Sequence, residues 1–93
     1  SYKSDVRVET NLSAYLPHIY IESSSKRMAM YRQIANINSL DQMVKFIVDT
    51  ESVYGDMPIE LVILCKIALL KNIISQIGAT KLSINFIMLV IIL

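Results

Sequence analysis

The sequence has few of the residues that usually build a catalytic or metal-binding centre. Its 93 residues include one histidine, His18, and one cysteine, Cys65. A structural zinc site needs four ligands, so these two side chains cannot form one unaided. A single cysteine excludes an internal disulfide and favours a reducing, cytoplasmic location, with a disulfide-free secreted domain as the alternative. Cys65 lies in an apolar stretch that disfavours a thiolate, so we expect a buried structural residue.

Glycine is also rare in the sequence, and the net charge is small. The two glycines, Gly55 and Gly78, are isolated, so the chain has no glycine-rich phosphate loop. Nine basic and eight acidic residues leave a net charge of +1, which gives no general attraction to nucleic acid or to an anionic membrane. We therefore expect a segment without cofactors that is not itself an enzyme.

Long apolar runs are missing as well. The longest, residues 86–93, is too short for a membrane-spanning helix, which needs about 20 residues. We therefore expect no membrane contact. The run is rich in isoleucine and valine, which favours a buried strand. The apolar content of 54% is high for a small domain, and it predicts thorough burial or a surface shared with a partner.

The residues that are present predict an α+β fold that begins with a strand. Residues 5–10 alternate polar and apolar side chains, which places Val6 and Val8 on the core side. Residues 11–21 are expected to form an extended, packed loop, because Pro17 disfavours helical geometry at the preceding residue.

Two capped helices follow. Serines at 23–25 offer N-caps for a first helix over residues 26–36. Ser39 and Gln42 have the spacing of a capping box, and Gly55 is placed to end the second helix. The expected apolar face of the first helix comprises Met30, Tyr31, Ile34, Ala35 and Ile37. That of the second comprises Leu40, Met43, Val44, Ile47 and Val48.

A third helix, over residues 58–77, is apolar on most sides and is expected to be buried at the centre. Pro58 suits its first turn, and Gly78 suits its end. Its narrow polar strip comprises Glu60, Lys66, Lys71, Asn72, Ser75 and Gln76. Residues 80–84 and 86–93 are predicted to be C-terminal β-strands.

The junction between those two strands lacks the glycine or proline that a tight turn favours. Either the two segments form one bent strand, or linking residues are absent from the sequence. The chain also ends inside an apolar segment. We interpret residues 1–93 as a single domain and as a fragment of a larger one.

Charged residues gather in two places. Asp49, Glu51, Asp56 and Glu60 surround the turn before the third helix, where a cation or acid–base site and a solvated turn are the alternatives. We favour the solvated turn, because acidic residues stabilise a helix N-terminus. Lys26, Arg27 and Arg32 lie on the first helix with Tyr31 among them. They form a solvated face, a docking face or, for Arg27 and Tyr31, a local cation–π pair.

Three stretches in order resemble the C-terminal domain of bacterial transcription-repair coupling factor. The strand at residues 5–9 leads into Ala14-Tyr15-Leu16-Pro17 and Tyr20-Ile21. Residues 27–35 read Arg-Met-Ala-Met-Tyr-Arg-Gln-Ile-Ala, and residues 54–58 read Tyr-Gly-Asp-Met-Pro. Ser52 and Val53 depart from the family's Asp-Arg pair, which puts in doubt any contact made through that arginine.

The resemblance implies a non-catalytic regulatory domain of a large ATP-driven DNA translocase that displaces stalled RNA polymerase and recruits UvrA. The domain would dock on the UvrB-like N-terminal region of its parent and hide the UvrA-binding surface. The expected docking residues are Lys26, Arg27, Tyr31, Arg32, Asp56 and Glu60.

Two other functions stay open. The first is an independent protein–protein interaction module with exposed strands that pair with another chain. The second is an enzyme built from His18, Cys65 or the acidic turn, which would require those groups to share a cleft.

Overall fold

A computed structural model describes residues 4–92 of the chain and confirms the α+β class. The described elements follow the order β1 (Arg7–Thr10), α1 (Ser24–Ala35), α2 (Leu40–Tyr54), α3 (Ile59–Ser75), β2 (Lys81–Ile84) and α4 (Phe86–Ile92). None of the helices within residues 4–92 has the length and apolarity needed to cross a bilayer.

Helix α3 is the central element, as the sequence predicts. Leu61, Cys65 and Leu69 recur every fourth residue and face α1, α2 and the loop before α1. This first core comprises Leu16, Ile21, Met30, Ile34, Ile37, Met43, Met57, Leu61, Cys65 and Leu69. A second core, on another side of α3, comprises Ile63, Ile67, Leu70, Ile84 and Leu89. One helix therefore supplies apolar side chains to two cores.

The two strands pair in parallel, with Arg7 opposite Lys81 and Thr10 opposite Ile84. The three helices between them make the crossover that parallel strands require. On the exposed face of the sheet, the Glu9 carboxylate forms ion pairs with the Nη2 of Arg7 at 3.1 Å and with the Nζ of Lys81 at 3.2 Å. Val6 is buried and Val8 is half-buried, which confirms the predicted alternation.

The predicted caps of the first two helices are confirmed, whereas the ends of α1 and α3 differ from the predicted ones by one or two residues. Ser23 caps α1 and Ser39 caps α2, where its Oγ accepts from the N–H of Gln42 at 3.1 Å. The Gln42 side chain accepts from Asn38, one residue before the partner that a capping box predicts. Gly55, with φ of 87°, ends α2. Such a positive φ favours glycine, because other side chains clash with the backbone there.

The predicted strand over residues 86–93 is wrong, because residues 86–92 form α4; residue 93 lies outside the described part. The Oδ1 of Asn85 accepts from the N–H of Met88 at 3.0 Å, as an N-cap does. Leu89 is 3% exposed in the second core. Burial of this side chain outweighs the strand propensity of isoleucine and valine. Asn85 begins a helix, so the bent strand is also excluded.

The predicted helix faces are wider than the buried ones. On α2, Met43 is buried, but Leu40, Val44 and Val48 are exposed. On α1, Tyr31 and Ala35 are exposed, and Ile77 lies exposed beyond the end of α3. Ser75, predicted to lie in the polar strip of α3, is buried, and its Oγ donates to the carbonyl of Asn72 at 2.9 Å. In this protein the buried line of α1 and α2 is narrower than the apolar stripe, so the residues at the margins of the stripe are exposed to solvent.

Candidate functional site

The basic residues of α1 point to different sides of the helix. At about 100° per residue, Lys26 and Arg32 lie about 120° apart around the axis. Lys26 lines a groove between α1 and α2, whereas Tyr31 lines a pocket on another side of α1. Arg32 is exposed in the last turn. The predicted docking residues of α1 therefore do not form one continuous patch.

Two of these residues have local structural partners. The Nη1 of Arg27 donates to the carbonyl of Ile21 at 3.3 Å and so holds the end of the preceding loop. The Tyr31 hydroxyl accepts from the N–H of Leu16 at 3.2 Å, and this side chain is 40% exposed. Arg27 and Tyr31 thus anchor the loop against α1 while part of Tyr31 faces solvent.

The acidic turn is occupied largely by structural contacts. Asp49 pairs with Lys45 at 2.9 Å, and an oxygen of Glu51 accepts from the N–H of Met57 at 2.8 Å. Asp56 is exposed, and Glu60 is half-buried in the first turn of α3. Within residues 4–92, no three histidine, cysteine or acidic side chains are grouped as metal ligands would be. This arrangement favours the solvated-turn interpretation.

Tyr20 connects the loop to this turn, a role that the sequence analysis did not assign. Its hydroxyl donates to the carbonyl of Gly55 at 2.6 Å, and its ring packs against Tyr54 with centroids 5.8 Å apart. Burial raises the pKa of the Tyr20 hydroxyl, and the nearby charges of Glu51 and Asp56 raise it further. The ordinary pKa of tyrosine already lies near 10, so the phenol stays protonated and keeps donating at neutral pH.

The two residues considered for nucleophilic chemistry lie in opposite environments. Cys65 is 0% exposed in the first core, and burial raises the pKa of its thiol from 9.0 to about 12. His18 is exposed on the loop before α1. A substrate in solvent cannot reach the Cys65 sulfur, so the arrangement does not support a Cys–His site.

We expect Cys65 to resist a thiol-labelling reagent at pH 8 in the folded protein. The Cys65 thiol is protonated and inaccessible to solvent, whereas labelling needs an accessible thiolate. Labelling followed by mass spectrometry should show slow modification in buffer and rapid modification in 8 M urea. Rapid modification in buffer would contradict the burial of this side chain.

A pocket of about 370 Å³ lies between β1, α1 and α3. Its apolar wall includes Val8, Ile34, Leu64, Ile67 and Ala68. Its polar lining residues are Thr10, Tyr31, Lys71 and Asn72. The larger groove between α1 and α2 is lined by charges of both signs, including Lys26, Lys45 and Asp49. The pocket therefore differs from the groove in carrying a cation and no carboxylate.

Asn72 fixes one end of this pocket. Its side-chain amide donates to the carbonyls of Ala35 at 2.8 Å and Ile37 at 2.7 Å, which joins the C-terminal end of α1 to α3. In the sequence, Asn72 and Lys71 belong to the polar strip of the third helix, and no role is predicted for Asn72 or Lys71. No local pattern signals these contacts, since the partners lie more than 30 residues away along the chain.

The family model described as the TRCF domain matches residues 10–92. The chain belongs to the TRCF domain family. The fold of this TRCF domain is similar to that in a solved structure described as the crystal structure of the C-terminal domain of transcription-repair coupling factor. The TM-score is 0.82 at 19% sequence identity, over 90% of this chain. The chain spans 52% of that solved protein's length. No curated protein matches the chain significantly.

The family resemblance drawn from the motifs is confirmed. In this TRCF domain the stretch at residues 27–35 forms most of α1, and the stretch at residues 54–58 forms the turn into α3. At the departure from the family pattern, the Ser52 Oγ donates to the carbonyl of Asp49 at 2.6 Å. Val53 is 71% exposed there, so the position of the missing arginine faces solvent.

Proposed function

We propose that this TRCF domain is a non-catalytic regulatory domain of a transcription-repair coupling factor. The parent would be a cytoplasmic DNA translocase that contacts DNA, displaces stalled RNA polymerase and recruits UvrA. The observation that carries the proposal is the family match along residues 10–92, together with the shared fold. Since the chain spans 52% of the solved relative, the activity and partners of the whole protein belong to the proposal.

In the proposed mechanism, the domain docks on the UvrB-like N-terminal region of the parent and hides the UvrA-binding surface. Docking favours the closed state only through contacts that the open state lacks. Interfaces between domains of one chain are typically modest in area and partly polar. The exposed side of α1, with Arg32 and the solvent-facing part of Tyr31, has that character.

Arg32→Glu in the full-length parent is expected to raise UvrA binding and ATP turnover. A reversed charge at the rim of a charged interface is repelled by the partner's acidic groups. A loss of about 1–2 kcal/mol would shift the balance between closed and open states by about 5–30-fold. UvrA capture and ATP hydrolysis assays measure both effects.

Arg32→Lys is the matched control, since it retains the charge, and it should leave both activities near the wild-type level. Arg27 is a poorer probe, because its bond to Ile21 also holds the loop. Unchanged UvrA binding and ATP turnover in Arg32→Glu would count against docking through this residue.

One observation favours the second function, an independent interaction module. The sheet formed by β1 and β2 has two strands within the described part of the chain, so each strand has an unpaired edge there. Unpaired edges accept further strands from other chains. Sedimentation of the isolated chain distinguishes the two functions, because a monodisperse monomer argues against association through these strands.

A further inference from the structure

The pocket between β1, α1 and α3 has a donor-rich lining. The Thr10 Oγ1 accepts from the N–H of Leu12 at 3.1 Å, and the Tyr31 hydroxyl accepts from the N–H of Leu16. Each hydroxyl therefore keeps its own proton to donate. Lys71 is exposed and takes part in none of the ion pairs found within residues 4–92. No aspartate or glutamate lines the pocket.

The shape of the pocket is set before any ligand arrives. Asn72 ties α1 to α3, and Tyr31 ties α1 to the loop, so the walls are joined by hydrogen bonds on two sides. Its volume of about 370 Å³ lies within the range of about 300–1,000 Å³ that is typical of ligand pockets. Its walls are mostly aliphatic, so the transfer of an apolar group from water into the pocket is favourable.

We propose that this pocket binds an acidic peptide segment of the docking partner, with one large apolar side chain in the pocket and an adjacent carboxylate on Lys71. The apolar walls favour an apolar side chain of the peptide. The three donors, which are the hydroxyls of Thr10 and Tyr31 and the ammonium group of Lys71, favour a carboxylate over an ammonium group. The inference rests on the proposed docking function and names the chemistry of the docked segment. The groove between α1 and α2 lacks this preference, since Lys45 is already paired with Asp49 there.

The test is a titration of the 93-residue chain, observed by amide NMR, with the acetylated and amidated heptapeptide Gly-Ser-Asp-Phe-Glu-Ser-Gly. We expect saturable shifts centred on the pocket residues Ala14, Ala35 and Ala68. Replacing the acidic residues of the peptide by Asn and Gln should weaken binding by about tenfold, because hydrogen bonds to charged groups are the stronger ones. Replacing them by lysine should abolish binding.

Variants of the protein locate the site. Lys71→Gln should weaken binding of the acidic peptide by about tenfold, and Lys71→Glu should abolish it. Lys66→Gln is the matched control, because it removes one charge from the same helix outside the pocket lining, and it should bind as the wild type does. Ala35→Leu places a larger side chain at the pocket and should also prevent binding. Each folded variant is recognised by a dispersed spectrum.

Equal affinity for the acidic and lysine peptides, or no effect of Lys71→Gln and Lys71→Glu, would overturn the inference. Failure of the pocket and failure of the docking function give different results. If the acidic peptide does not bind while Arg32→Glu still raises UvrA binding in the parent, the pocket inference fails and the function stands. If the peptide binds and Arg32→Glu changes nothing, the pocket stands and docking through Arg32 fails.

Discussion

Leu69→Ala is expected to lower the free energy of unfolding by about 2–5 kcal/mol, the range for leucine truncation in a packed core. Leu69 is 1% exposed on α3 and contributes to the first core, between α3 and the two preceding helices. A domain of this size has about 5–15 kcal/mol of stability in total, so the substitution removes a large part of it. Urea denaturation followed by circular dichroism measures the loss.

Ile77→Ala is the matched control, because it removes a similar aliphatic side chain close to the end of the same helix. Ile77 is 82% exposed, so we expect a change within about 0.5 kcal/mol. If the two variants lost the same stability, α3 would not be the element on which the cores are built.

Asn72→Ala is expected to lower the free energy of unfolding by about 1–2 kcal/mol. It removes a part-buried hydrogen bond to the carbonyl of Ile37 and an exposed one to the carbonyl of Ala35, and most of the loss comes from the part-buried bond. It should also speed amide hydrogen exchange at the C-terminal end of α1, since that end loses its tie to α3. Urea denaturation and hydrogen exchange measure the two effects.

Asn36→Ala is the control for that variant. The Asn36 side chain also donates to a carbonyl, that of Arg32 at 3.0 Å, but this bond is exposed and local. Water replaces an exposed partner at little cost, so we expect a change below about 1 kcal/mol. If the two substitutions lowered the free energy of unfolding equally, the link between α1 and α3 would contribute no more stability than an exposed local hydrogen bond.

The helical part of the fold could be predicted because its ends are marked locally. Ser23, Ser39, Gly55 and Pro58 each act within one turn of their own position, so the sequence shows them directly. The buried third helix could be predicted because its apolar residues cover most of its circumference. These signals need no knowledge of the tertiary contacts.

The C-terminal segment could not be predicted in the same way. The periodicity of a short apolar run does not distinguish a buried strand from a buried helix, and the isoleucine and valine content of this run favours the strand. What decides between them is the contact of Leu89 with Ile63, Ile67 and Leu70, which lie about 20 residues earlier or more. Asn85 was the available local signal, since asparagine is a favoured N-cap.

The candidate site was only partly predictable. The sequence correctly leaves Lys26 and Arg32 exposed on α1, but it does not show which side of the helix each one faces relative to α2 and α3. The pocket depends on contacts of Tyr31 with Leu16 and of Asn72 with Ala35, which join distant parts of the chain. Such pairs follow from the packing of α1 on α3 and have no local pattern.

Docking on a UvrB-like region is the central claim, and calorimetry tests it most directly. The 93-residue chain is titrated into the UvrB-like N-terminal region of a transcription-repair coupling factor. Saturable binding is expected for the wild type and for Arg32→Lys, with about tenfold weaker binding for Arg32→Glu, which corresponds to about 1.4 kcal/mol. No binding by the wild type, or equal affinities for all three proteins, would contradict the claim.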